Sequence, residues 1–61
     1  MSGREMDVLR LLATDLSGPE ISSQLFVSLN TLRTHTKNIY AKLGVTSRRR
    51  AVAVATERKL L

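Results

Sequence analysis

The chain has 61 residues, with ten Lys or Arg against five Asp or Glu, a net charge of +5, one histidine and no cysteine. That length supports one small domain, which buries about 60% of the surface its unfolded chain exposes. The inventory excludes disulfides and thiolate metal sites, argues against a metal or other cofactor site built from histidines, and holds no apolar run near the roughly 18 residues that span a bilayer.

The first residues, Met-Ser-Gly-Arg-Glu, lack the charged-then-apolar order of a signal peptide, so a cytoplasmic protein is expected. Ser2-Gly-Arg-Glu5 has the spacing of a capping box, in which the hydroxyl accepts from a free first-turn N–H and the Glu reaches back. Val8, Leu9, Leu12 and Leu16 then recur at helical spacing, and a first helix is expected over about 3–14. Ser17-Gly-Pro-Glu20 repeats the box, with proline tolerated because first-turn N–H groups have no partner in the helix. Ile21 and Leu25 follow, giving a short second helix over about 18–25. Phe26 and Val27 lead to Ser28, a third N-cap. Beyond it Leu32, Thr36, Ile39 and Leu43 share one sector at 100° per residue, with Leu29 and Tyr40 beside them. Gly44 suits the left-handed position that ends a helix, so the third helix spans about 29–43, roughly 22 Å. Val45 is an anchor in the next link and Ser47 a fourth cap. A fourth helix over about 48–58 turns Ala51, Val52 and Ala55 inward, closed by Leu60. The expected fold class is all-α, a single four-helix domain over residues 1–61.

Charge is unevenly placed along these elements. Residues 1–20 carry two basic and four acidic groups, whereas residues 21–56 carry six basic groups and no acid. The asymmetry suggests a polyanionic partner; a solvated basic face is the plain alternative. With its apolar sector inward, the third helix presents Asn30, Arg33, Thr34, Lys37 and Ala41 on the opposite side. Arg can bond O6 and N7 of guanine with two parallel hydrogen bonds, Asn can do the same for adenine, and Thr can donate or offer a methyl to thymine. Ala41 is small enough to let the helix lie near a groove wall. A short helix and a tight turn leading into a longer helix with a basic outer face is the helix-turn-helix arrangement, whose second helix reads bases near its N-terminus. Free N–H groups around residues 28–31 could hold a phosphate. Double-stranded DNA is the expected partner.

In sequence, the chain resembles the LuxR-type helix-turn-helix domain of bacterial transcription regulators over nearly its whole length. The resemblance is carried by Arg4-Glu5 with Val8-Leu9, by Ser17 with Glu20-Ile21, and by Leu25-x-Val27-Ser28-x-x-Thr31-Leu32-Arg33-x-His35. It continues through Ile39-x-x-Lys42-Leu43-Gly44-Val45, Arg48, Ala51-Val52 and Leu60-Leu61. The resemblance implies the C-terminal output domain of a regulator, binding DNA through the third helix in the major groove. It places base contacts on Arg33, Thr34 and Lys37, which the outer stripe had already selected together with Asn30. It places phosphate contacts at Ser28, Thr31, Asn38 and Lys42. Ser22 and Ser23 depart from the small apolar residues usual there, and Arg48-Arg49-Arg50 is unusually basic. The stretch from Leu25 to His35 looks most like the large ATP-dependent members of the family.

Several residues have a second reading. His35 could sense pH or touch phosphate, but a structural histidine hydrogen-bonded to backbone is the expectation. Tyr40 and Phe26 could stack on bases, but both are expected in the core. Arg48 could bridge to Glu5 or Glu20, or reach a phosphate. On the fourth helix Arg50, Ala53, Val54 and Glu57 face away from the core, a candidate homodimer face. RNA polymerase is a further candidate partner. Enzyme chemistry fails on inventory: no phosphate loop, no carboxylate cluster, no nucleophile beside the histidine. The competing function is a protein-interaction module that keeps the fold without specific DNA binding.

Overall fold

Each serine cap closes as its spacing predicts. The Ser2 hydroxyl accepts from the Glu5 amide at 3.2 Å, and the Glu5 carboxylate accepts from the Ser2 amide at 3.2 Å. Ser17 and Glu20 form the same reciprocal pair at 3.3 and 2.9 Å. Ser28 accepts from the Thr31 amide and Ser47 from the Arg50 amide. These caps start four helices, α1 (Gly3–Leu12), α2 (Gly18–Leu25), α3 (Leu29–Leu43) and α4 (Arg48–Glu57), in the computed structural model, which describes all 61 residues.

The bounds of α2 and α3 coincide with the sequence expectation. α1 stops at Leu12 rather than at 14, because Ala13 leaves helical geometry at ψ 7° and the Thr14 hydroxyl folds back onto the Leu11 carbonyl. α4 stops at Glu57 rather than at 58. There Lys59 takes a left-handed φ of 59° and the Leu60 amide bonds back to the Ala55 carbonyl at 2.8 Å. Gly44 ends α3 at φ 70°, a conformation open to glycine without a side-chain clash.

The core joins Val8, Leu9 and Leu12 of α1, Ile21 of α2, Leu32, Ile39 and Leu43 of α3, and Ala51 and Ala55 of α4. α1 and α3 each pack against all three other helices, while α2 and α4 do not meet. The two buried alanines let α4 lie close to its neighbours. Thr36, expected inward, is half-buried and donates its hydroxyl to the Leu32 carbonyl at 2.9 Å. Ser22 is buried among the apolar groups without an unmet donor, because its hydroxyl reaches the Pro19 carbonyl at 2.9 Å. Leu60, expected to close the core, is 37% exposed, since the turn at Lys59 carries the chain off the end of α4. No helix is long and apolar enough to cross a membrane.

Candidate nucleic-acid interface

Burying Leu32, Ile39 and Leu43 turns the other side of α3 outward. Asn30, Arg33, Thr34, Lys37, Asn38 and Ala41 are all exposed. From Asn30 to Lys37 the stripe covers about 10 Å of helix axis, roughly three base-pair rises. Neither Arg33 nor Lys37 is paired with an acidic group. The Thr34 hydroxyl donates to the Asn30 carbonyl at 3.1 Å, which leaves it a methyl group and acceptor capacity. At the start of α3, Ser28 donates to the Thr31 hydroxyl at 2.9 Å while capping the Thr31 amide. The amides of Leu29 and Asn30 have no partner within the chain. They stand at the positive end of the helix dipole, where an anion is favoured.

Two cations have partners that their sequence positions did not reveal. Lys42, on the flank of α3, places its ammonium 2.5 Å from a Glu5 carboxylate oxygen, with half of its side chain still open to solvent. Glu5 itself is buried, and its oxygen also accepts from the Ser2 amide and hydroxyl. The Lys42 hydrogen bond, then the Ser2 amide, hold the Glu5 carboxyl below the ordinary carboxylate range against the opposing effect of burial. The Ser17 amide and hydroxyl do the same for Glu20. A carboxyl with a lowered folded pKa stabilises the fold above its unfolded pKa, and that contribution is lost as pH falls through the folded value. Stability is therefore expected to fall on acidification below about pH 5. Glu5→Gln should weaken that dependence, as read by thermal denaturation across a pH series; an unchanged profile contradicts the cap and ion pair as its source.

Arg48 bridges neither Glu5 nor Glu20. Its guanidinium donates to the carbonyls of Leu12 at 2.9 Å, Thr14 at 2.7 Å and Leu11 at 3.4 Å. The Leu11 and Leu12 oxygens end α1, the negative pole of its dipole, and Thr14 lies in the turn just beyond it. A cation in the first turn of α4 opposes that helix's own dipole, and here it is compensated by the end of another helix.

The aromatic residues diverge. Tyr40 packs half-buried against the core, and its hydroxyl pKa is raised by burial, with Arg48 opposing. Phe26 does not enter the core; it is 95% exposed. It occupies the left-handed position that ends α2, at φ 57°, and the inward contact belongs to Val27 instead. His35 is half-buried, as a structural residue would be, but the side-chain hydrogen bonds on this part of α3 are made by Thr34 and Thr36 and not by its ring, so the expected bond to backbone is not formed. On α4, Arg50, Ala53 and Glu57 are exposed, whereas Val54 packs partly against the core and is not a free surface residue.

In comparisons with known proteins, residues 1–55 match the family described as "Bacterial regulatory proteins, luxR family". The chain is 43% identical over 61 residues to the probable transcriptional regulatory protein NarL of Mycobacterium tuberculosis, covering all of this chain and 28% of that protein. It is 39% identical over 61 residues to the oxygen regulatory protein NreC of Staphylococcus aureus, again 28% of that protein. The crystal structure of the response regulator ChrA, of a heme-sensing two-component system, superposes with a TM-score of 0.95 at 38% identity, covering 98% of this chain and 30% of that one. The chain thus spans under a third of these regulators. The regulators matched along its whole length are of the NarL and NreC type, which corrects the likeness to the large ATP-dependent subgroup.

Proposed function

The chain belongs to the luxR family of bacterial regulatory proteins and is a DNA-binding domain of a transcription regulator; we propose that it reads sequence with the outer stripe of α3 laid in the major groove. The observation that carries this is the stripe itself, four exposed polar or cationic side chains backed by buried Leu32, Ile39 and Leu43, with neither of its cations paired to an acid. Asn30, Arg33, Thr34 and Lys37 read base edges. Ser28, Thr31, Asn38 and Lys42 border the stripe and hold phosphates, Lys42 reaching one from its ion pair with Glu5. Arg33 and Lys37 also line a groove of about 830 Å³, together with apolar Leu29, Leu32, Tyr40 and Val45. The likeness to NarL, NreC and ChrA supports reading the chain as the output part of a response-regulator type protein.

Salt titration tests the phosphate set. Lys42→Ala should weaken binding to every duplex and make log K less steep in log salt by about 0.9. An unchanged slope removes Lys42 from the phosphate contacts and leaves it the Glu5 partner alone.

A two-fold pair through α4 would place two copies on half-sites about one helical turn, ~34 Å, apart. Because Val54 serves the core, Ala53→Glu is the cleaner probe. The wild-type chain should sediment faster as concentration rises and the variant should stay monomeric at equal stability. A wild-type monomer at high concentration rules the pair out.

A further inference from the structure

Phe26 carries two costs that the turn does not require. Its ring is 95% exposed, and its backbone sits at φ 57°, where a non-glycine residue is strained. Glycine would take the same φ freely and leave no ring in water. The turn closes without the ring: the Phe26 and Val27 amides donate to the carbonyls of Ser23 at 3.2 Å and Ser22 at 3.0 Å. The residues from Ile21 to Leu32 include no charged side chain, so the ring is flanked along the chain by exposed, uncharged Ser23, Gln24 and Ser28. Chain reach keeps its Cα within about 7 Å of that of Ser28, the cap of α3.

We propose that Phe26 is a positioning residue for DNA, laying its ring against the deoxyribose next to the phosphate at the N-terminus of α3. The contact rests on the reading of α3 as the helix in the groove. The sugar presents apolar C–H faces, and the phosphate beside it is met by uncharged donors. A ring placed there loses its exposure on binding, adds no ion pair, and fixes how α3 enters the groove.

Phe26 is the only phenylalanine, so 4-fluorophenylalanine gives a single fluorine resonance. On adding a duplex selected by the chain, that resonance should shift and lose its H₂O/D₂O isotope effect. Phe26→Gly should bind the same duplex about tenfold more weakly, the loss expected from uncovering roughly half a phenyl ring. Its salt slope should be unchanged and its Tm equal or higher. A resonance that keeps its full isotope effect in the complex overturns the contact, as does unchanged affinity. A shallower salt slope also overturns it, because the loss would then come from a displaced Lys or Arg contact to phosphate. If the wild-type chain binds no duplex at all, the reading of α3 fails and this contact fails with it.

Discussion

Arg48→Ala is expected to destabilise the domain by about 2–3 kcal/mol, the scale of charge-assisted hydrogen bonds lost from half-buried acceptors. A domain of this size has only ~3–9 kcal/mol to lose, and the change should lower Tm by roughly 10–20 °C. The reason is geometric. One guanidinium joins the start of α4 to three carbonyls at the end of α1 and in the turn after it, across 34 to 37 residues of sequence. Without it the Leu12 and Thr14 oxygens lose their donor, while Leu11 keeps the Thr14 hydroxyl. Arg48→Lys should recover only part of the loss, because an ammonium is a point donor and cannot span the three oxygens. Urea titration checks this: the midpoint should fall with m unchanged. At temperatures where the variant is folded, its DNA affinity and salt slope should match the wild type. A slope shallower by about one would instead assign Arg48 to a phosphate.

Arg33→Ala is expected to lose ~1–3 kcal/mol of affinity on the selected site and to relax base preference at one position. Arg33 is exposed on the stripe and has no acidic partner to hold it elsewhere. Its guanidinium can therefore meet the O6/N7 edge of a guanine without breaking a contact in the protein. Affinities on the selected duplex and on single-base variants of it separate the two effects. An equal loss on every duplex would make Arg33 a phosphate contact.

Much of this architecture is legible in local sequence. All four serine caps, the bounds of α2 and α3, and the inward triad Leu32, Ile39 and Leu43 follow from spacings of three or four residues. What was not legible depends on distant partners or on backbone sign. The Glu5–Lys42 pair spans 37 residues, and nothing in either neighbourhood announces it. The role of Arg48 needed the end of α1 placed against the start of α4. Phe26 was expected inside because it is apolar and sits at the turn between α2 and α3. The usable signal was the end of α2: the residue in the left-handed position turns outward, and the next apolar residue, here Val27, makes the inward contact. Val54 was expected to face outward but packs partly against the core.

The most direct measurement is in vitro selection by the 61-residue chain from random duplex DNA at two salt concentrations. With α3 reading bases, a short motif should be enriched at both, with total binding falling as salt rises. In parallel selections, Arg33→Ala should return the same motif with one position degenerate. Salt-dependent binding with no enriched motif would leave a helix that holds phosphates and reads nothing. No binding at either salt would contradict DNA recognition by this helix and favour a protein-interaction module on the same fold.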